Sequence, residues 1–167
     1  ILNELEEHQT RMLREMVQDI LGANYSQVAD DLRGQMRLHI CASNNVVEDI
    51  ADVKISGANT GIGNVLANKG GIVVTLNYMK TRVTFLSAHL AAHEGESYYK
   101  ARCDSVRSIL REANTFGLSK KLDVVMSSHH MFVLGDLNFR TKFGGEHEDN
   151  VQRALELIKA EDYESLY

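Results

Sequence analysis

The chain has 167 residues, 44% of them hydrophobic and 25% charged, which suffices to bury a core and suits one domain or part of one. A formal charge of −5 argues against general nucleic-acid binding, and no apolar run nears the roughly eighteen residues that a membrane-spanning helix needs. Proline is absent, where average usage near 5% would give about eight.

In chain order, Leu2, Leu5, Met12, Leu13, Met16, Val17 and Ile20 form a helical stripe and predict an amphipathic packing helix over residues 2–21. Strands are expected at 36–42 and 46–53, followed by a hairpin of strands 71–78 and 82–88 around Met79, Lys80 and Thr81. A helix is expected over 97–114, then an apolar strand through Met131, Phe132, Val133 and Leu134, covered on both faces. A last helix runs over 151–160, with Asp149 or Asn150 as its cap. Residues 94–97 and 143–150, rich in glycine or charge, are the least ordered candidates. Cys41 and Cys103 lack metal-ligand spacing, so reduced thiols in an intracellular, cytoplasmic setting are expected.

Three segments carry chemistry. The loop from Thr60 to Gly71 combines glycines, the amides of Asn64 and Asn68 and the ammonium of Lys69, a set suited to an anion. It is neither a P-loop nor a dinucleotide fingerprint, since no Gly-Lys-Ser/Thr follows and a strand succeeds it. Residues 82–93 read as a strand with His89 at its end, where an imidazole can donate to a phosphate or move a proton. His93 lacks an obvious partner. After Leu134, Gly135 permits close backbone approach to a ligand, and strand alternation would turn Asp136 and Asn138 to one side, away from Leu137 and Phe139. Each segment alone also fits a structural turn. His129 and His130 are adjacent on a strand, point to opposite faces and suit structural or solvent-exposed roles.

Asn-Lys-Gly-Gly at 68–71, His-Leu-Ala-Ala-His at 89–93 and Gly-Asp-Leu-Asn-Phe-Arg at 135–140, in this order, resemble the inositol polyphosphate 5-phosphatases, over residues 21–167. The wider group includes deoxyribonuclease I and abasic-site endonucleases, whose members share Gly-Asp-x-Asn without this Asn-Lys-Gly-Gly loop. The resemblance implies a deoxyribonuclease I-like layered α/β sandwich, in part, and magnesium-dependent removal of the 5-phosphate from inositol polyphosphates or phosphoinositides. It implies that Asp136 activates or orients water, that Asn138 holds the scissile phosphate and that His89 contacts it in the transition state. Asn68, Lys69 and Arg140 would bind substrate phosphates, although Arg140 could instead brace the loop by a salt bridge. Peripheral contact with a membrane surface is compatible with such a substrate, and nucleic acid is not expected as a partner. Other readings are a scaffold that binds phosphoinositides without catalysis, and a nuclease of the wider group.

The chain departs from the family pattern at several positions. Val133 stands where an aromatic, often Trp, is usual; Ala88 replaces Ser or Cys; Cys103 replaces Asn, although Arg102 is kept. The upstream Gln-Glu pair whose Glu binds magnesium, and the downstream Trp-Cys-Asp-Arg and Ser-Asp-His elements, do not occur. Residues 1–167 are therefore expected to be a central part of such a catalytic domain without both flanks, inefficient as a hydrolase when alone.

Overall fold

A computed structural model describes residues 2–60, 68–113, 123–140 and 150–166. Helix α1 (Leu2–Leu21) leads into an antiparallel hairpin of β1 (Tyr25–Arg33) and β2 (Met36–Ser43), and a one-turn helix α2 (Asn44–Val47) follows. Strand β4 (Gly70–Tyr78) pairs antiparallel with β3 (Ile50–Asn59) on one side and with β5 (Thr81–His89) on the other. The chain then crosses over through α3 (Glu96–Glu112) and α4 (Val124–Ser127) to β6 (His130–Asp136), which pairs parallel to β5. Helix α5 (Asn150–Lys159) and a 3-10 turn (Glu164–Leu166) complete the described chain.

The sheet β3-β4-β5-β6 is the middle of three layers, because alternate residues of its strands point to opposite faces. On one face Val73, Leu86 and Ala88 pack with Ile109 and Ala113 of α3 and Val124 of α4. On the other, Ile72, Val74 and Phe85 pack with Ala29, Met36 and Leu38 of the β1–β2 hairpin. Ile72, Val73 and Val74 are fully buried, which stabilises the sheet by about 1.5–3 kcal/mol each. This is the layered α/β architecture that the motifs imply.

Several expectations need correction. Strand β1 has no counterpart among the expected strands, because Asp30 and Asp31 interrupt its apolar alternation. The stretch expected as a strand over 46–53 divides instead: Ser43 caps a helical turn by accepting from the Asn45 N–H at 3.4 Å, and β3 begins at Ile50 and runs to Asn59. An irregularity between Ala51 and Lys54, with Asp52 at φ 54°, resets its register. Among the described residues, the strand expected to be covered on both faces lies at the sheet edge; it pairs there with β5 alone, and Phe132 remains 55% exposed. Gly135 has φ 113°, and a Cβ there would lie 2.1 Å from the Ala88 carbonyl oxygen, so the pairing of β6 with β5 itself requires glycine.

Other elements follow expectation closely. Tyr78 pairs with Thr81 across a turn in which Met79 has φ 52°. One stretch differs: residues 94–97 are expected to be poorly ordered, yet helix α3 already begins at Glu96. Asn64, Asn114, Asp149 and residues 143–149 lie outside the described residues. Cys41 and Cys103 are free thiols. The His129 backbone N–H donates to the Arg82 carbonyl at 3.0 Å while its Nδ1 accepts from the Arg82 N–H at 2.8 Å, so it closes the entry to β6.

Helix α1 is held by its polar side. Arg14 Nε donates to Asp30 at 2.6 Å, and Arg37 on β2 donates to Thr10 Oγ1 at 3.0 Å. Its apolar stripe consequently faces outward, with Met16 56% exposed, contrary to a plain packing helix.

Candidate functional site

The site forms where three strand ends meet. Parallel pairing sets His89, the last residue of β5, in register with Asp136, the last residue of β6, and antiparallel pairing sets Gly70 beside His89. Lys69 enters from the turn before β4, anchored by the Thr60 N–H donating to the Lys69 carbonyl at 2.9 Å. Gly70 has φ 148°, and a Cβ there would lie 2.1 Å from the Ala58 carbonyl oxygen, so glycine is needed where this loop closes on β3.

Three of the expected site residues converge. Lys69 Nζ hydrogen-bonds His89 Nε2, and His89 Nε2 lies 3.6 Å from Asp136 Oδ2. An ammonium only donates, so Nε2 is the acceptor and the imidazole carries its proton on Nδ1. An arriving phosphate that takes over the Lys69 ammonium frees Nε2, which can then bind a proton between the phosphate and Asp136. The three groups offer a positive charge, a proton carrier and a carboxylate within one hydrogen-bonded cluster.

Asn138 joins this cluster by a route other than strand alternation. The strand ends at Asp136, and Asn138 takes φ 54°. Its backbone N–H donates to Asp136 Oδ1 at 3.2 Å, and its side-chain amide donates to the Leu90 carbonyl at 3.2 Å. The Leu90 N–H in turn donates to the Asp136 carbonyl at 3.0 Å. Asn138 therefore fixes the carboxylate and laces the loop after His89 to the loop after Asp136.

The remaining expected contacts stand apart. Asn68 is exposed in the turn beside Lys69. Arg140 lines a neighbouring pocket of about 350 Å³ with Glu94, Glu96, Tyr99 and Arg102, and is not brought into contact with His89 or Asp136. It makes no ion pair among the described residues, so the bracing salt bridge does not form there. His93 meets the Tyr98 ring at 5.2 Å in a tilted arrangement, and its carbonyl accepts from Arg102, which also holds the Ala91 carbonyl. Arg102 thus shapes the loop that follows His89.

Sequence reasoning missed one wall of the site. A pocket of about 320 Å³ holds His89 and Asp136 and is closed by Gln35 and Arg37 of the hairpin, with Ser87 on β5. The sequence signal was the glycine at Gly34, which takes φ 57° at the hairpin tip. Among the described residues, Asp136 is the one carboxylate lining the pocket, and no group of three or more metal-ligating His, Cys, Asp or Glu side chains is found. The donors present do not by themselves make a metal site.

The family described as Endonuclease/Exonuclease/phosphatase family 2 matches residues 2–167. Phosphatidylinositol 3,4,5-trisphosphate 5-phosphatase 2B of Danio rerio is 31% identical over 121 residues, covering 70% of this chain and 10% of that protein. Phosphatidylinositol 3,4,5-trisphosphate 5-phosphatase 1 of Mus musculus is 27% identical over 96% of this chain and 13% of its own length. The chain thus spans about a tenth of the curated relatives it matches. Among solved structures, the inositol polyphosphate 5-phosphatase domain of SPsynaptojanin, crystallised with inositol (1,4)-bisphosphate and calcium ion, has a TM-score of 0.62 at 22% identity. That likeness covers 83% of this chain and 38% of the domain. Cimex nitrophorin, in a ferrous NO complex, has a TM-score of 0.63 at 15% identity, over 96% of this chain and 51% of its own. Both likenesses show the fold, and the pair shows that the fold alone does not choose the chemistry.

Proposed function

Because the chain belongs to Endonuclease/Exonuclease/phosphatase family 2, we propose that it supplies the catalytic strand ends of a phosphatase that removes the 5-phosphate from inositol polyphosphates or phosphoinositides. The observation that carries this reading is the convergence of Lys69, His89 and Asp136 from three separate strand ends. Its curated relatives are named as phosphoinositide 5-phosphatases. The fold-wide acidity remains unfavourable to a nuclease reading.

Phosphoryl transfer asks the protein mainly to position the water and to neutralise charge on the phosphoryl oxygens. In this reading Lys69 leaves His89 for a phosphoryl oxygen, and the freed His89 Nε2, once it has taken a proton from solvent, donates to a second one. Asp136 accepts a hydrogen bond from the attacking water and orients it in line. Asn138 keeps that carboxylate aimed through its backbone N–H, and its side-chain oxygen remains as a hydrogen-bond acceptor. Asn68 extends the phosphate contacts from the same turn as Lys69, and Arg140 serves a more distant phosphate. Magnesium is the cofactor we propose. With Asp136 as its one carboxylate among the described residues, the pocket needs further ligands from substrate, water or other protein segments. Among the described residues no helix is long and apolar enough to cross a membrane. We propose a peripheral, cytoplasmic surface as the place where lipid substrates are met.

The test is phosphate release from inositol 1,4,5-trisphosphate and phosphatidylinositol 4,5-bisphosphate by the protein that contains this chain at its full natural length. Substitution His89→Ala should lower turnover about 10²–10⁴-fold. Undiminished turnover in that variant, or cleavage of an abasic duplex in place of both inositol substrates, would overturn the assignment.

A further inference from the structure

The pocket around His89 and Asp136 has a wall that the proposed chemistry does not use. Strand alternation puts Phe85, Ser87 and His89 on the sheet face that packs against the β1–β2 hairpin. Ser87 therefore shares its face with the catalytic imidazole, and Gln35 reaches the same pocket from the hairpin tip. Neither side chain is engaged by a hydrogen bond or an ion pair within the described protein.

Arg37, the cation of this wall, has three of its five N–H groups engaged within the protein. Arg37 Nε and Nη2 donate to the Asp30 carboxylate at 2.9 and 2.5 Å, and its remaining Nη1 donates to Thr10. Arg14 shares the same carboxylate. The two free groups facing the pocket are thus a neutral amide and a neutral hydroxyl. Each both donates and accepts, as a ring hydroxyl does.

We propose that Gln35 and Ser87 determine specificity by binding a free ring hydroxyl next to the phosphate held by Lys69 and His89. This inference rests on the phosphatase reading for the placement of that phosphate. It narrows the substrate class to cyclitol or sugar phosphomonoesters with an unphosphorylated neighbouring hydroxyl on the hairpin side. Lys69 and His89 recognise the phosphate itself; Gln35 and Ser87 recognise what it is attached to. A site built to hydrogen-bond a hydroxyl discriminates strongly against a ligand that lacks one.

The experiment titrates the full chain, as wild type, Gln35→Ala and Ser87→Ala, with inositol 1-phosphate and separately with inorganic phosphate, followed by amide chemical shifts. Each substitution should weaken inositol 1-phosphate about threefold to tenfold, the worth of one hydrogen bond, while inorganic phosphate changes by less than about twofold. In the wild type the Gln35 side-chain amide signals should move with inositol 1-phosphate alone. Equal weakening of both probes, no weakening of either, or wild-type binding of inositol 1-phosphate no tighter than inorganic phosphate would overturn the proposal. Selective weakening beside absent phosphate release in the natural-length protein would sink the phosphatase reading alone. Normal release without selective weakening would sink only the specificity wall.

Discussion

Asp30 shows how much one side chain organises in this protein. Its side chain is only 3% exposed and receives three guanidinium nitrogens, from Arg14 Nε and from Arg37 Nε and Nη2. Burial pushes its carboxyl up, but the hydrogen bonds and charges of Arg37 and Arg14 outweigh that and hold it below the ordinary 3.8. A depressed carboxyl stabilises the fold above its unfolded value, and that stabilisation is lost as pH falls through the lower folded value. Urea midpoints should therefore fall below about pH 4 in the wild type. The substitution Asp30→Asn should lower stability by about 3 kcal/mol at pH 7, because it leaves Arg37 without its counter-charge. Measuring the difference between wild type and variant at pH 7 and pH 3 checks the sign: it should shrink at the lower pH.

At the scale of elements, the contact of β5 with β6 is the most demanding, since it aligns His89 with Asp136. Gly135→Ala would place a methyl 2.1 Å from the Ala88 carbonyl oxygen at a backbone φ that side chains rarely adopt. It should destabilise by more than about 3 kcal/mol and abolish the paired strand ends, read by denaturation and by loss of amide protection in β6. Helix α1 gives the opposite expectation. Met16→Lys on its outward stripe should change stability by less than about 0.5 kcal/mol, whereas Ile109→Ala in the fully buried face of α3 should cost about 2–5 kcal/mol. A large loss in Met16→Lys would mean that α1 packs by its apolar side.

The same elements mark what the sequence can disclose. Periodicity located α1, α3, α5 and the β4–β5 hairpin because local pattern and burial agree there. It gave the orientation of α1 wrongly, since Asp30, Arg37 and Thr10 decide it through contacts distant in sequence. Two adjacent acids hid β1, and an apolar run made the edge strand β6 look central. The motif residues Lys69, His89 and Asp136 were legible because their chemistry is unusual at strand ends. Gln35 and Ser87 were not, because a glutamine in a turn and a serine in a strand acquire meaning only when the hairpin folds back onto β5.

For the whole molecule, the site depends on the middle sheet holding three strand ends together while two outer layers press on it. Lys69 arrives through β4, His89 through β5 and Asp136 only after the crossover through α3 and α4. Loss of core packing anywhere in this arrangement should therefore reach the site. Lys69→Met should keep the fold, because Lys69 meets His89 at the partly exposed pocket rim, yet it removes the positive charge offered to phosphate. Phosphate affinity should fall about tenfold or more while the thermal midpoint moves by only a few degrees.

The most direct measurement is phosphate release from inositol 1,4,5-trisphosphate by the natural-length protein containing this chain, with and without magnesium, beside its Asp136→Ala variant. The account predicts magnesium-dependent release that the variant reduces by two or more orders of magnitude while still binding the substrate. Release that persists in Asp136→Ala, or binding without release in the wild type, would contradict it.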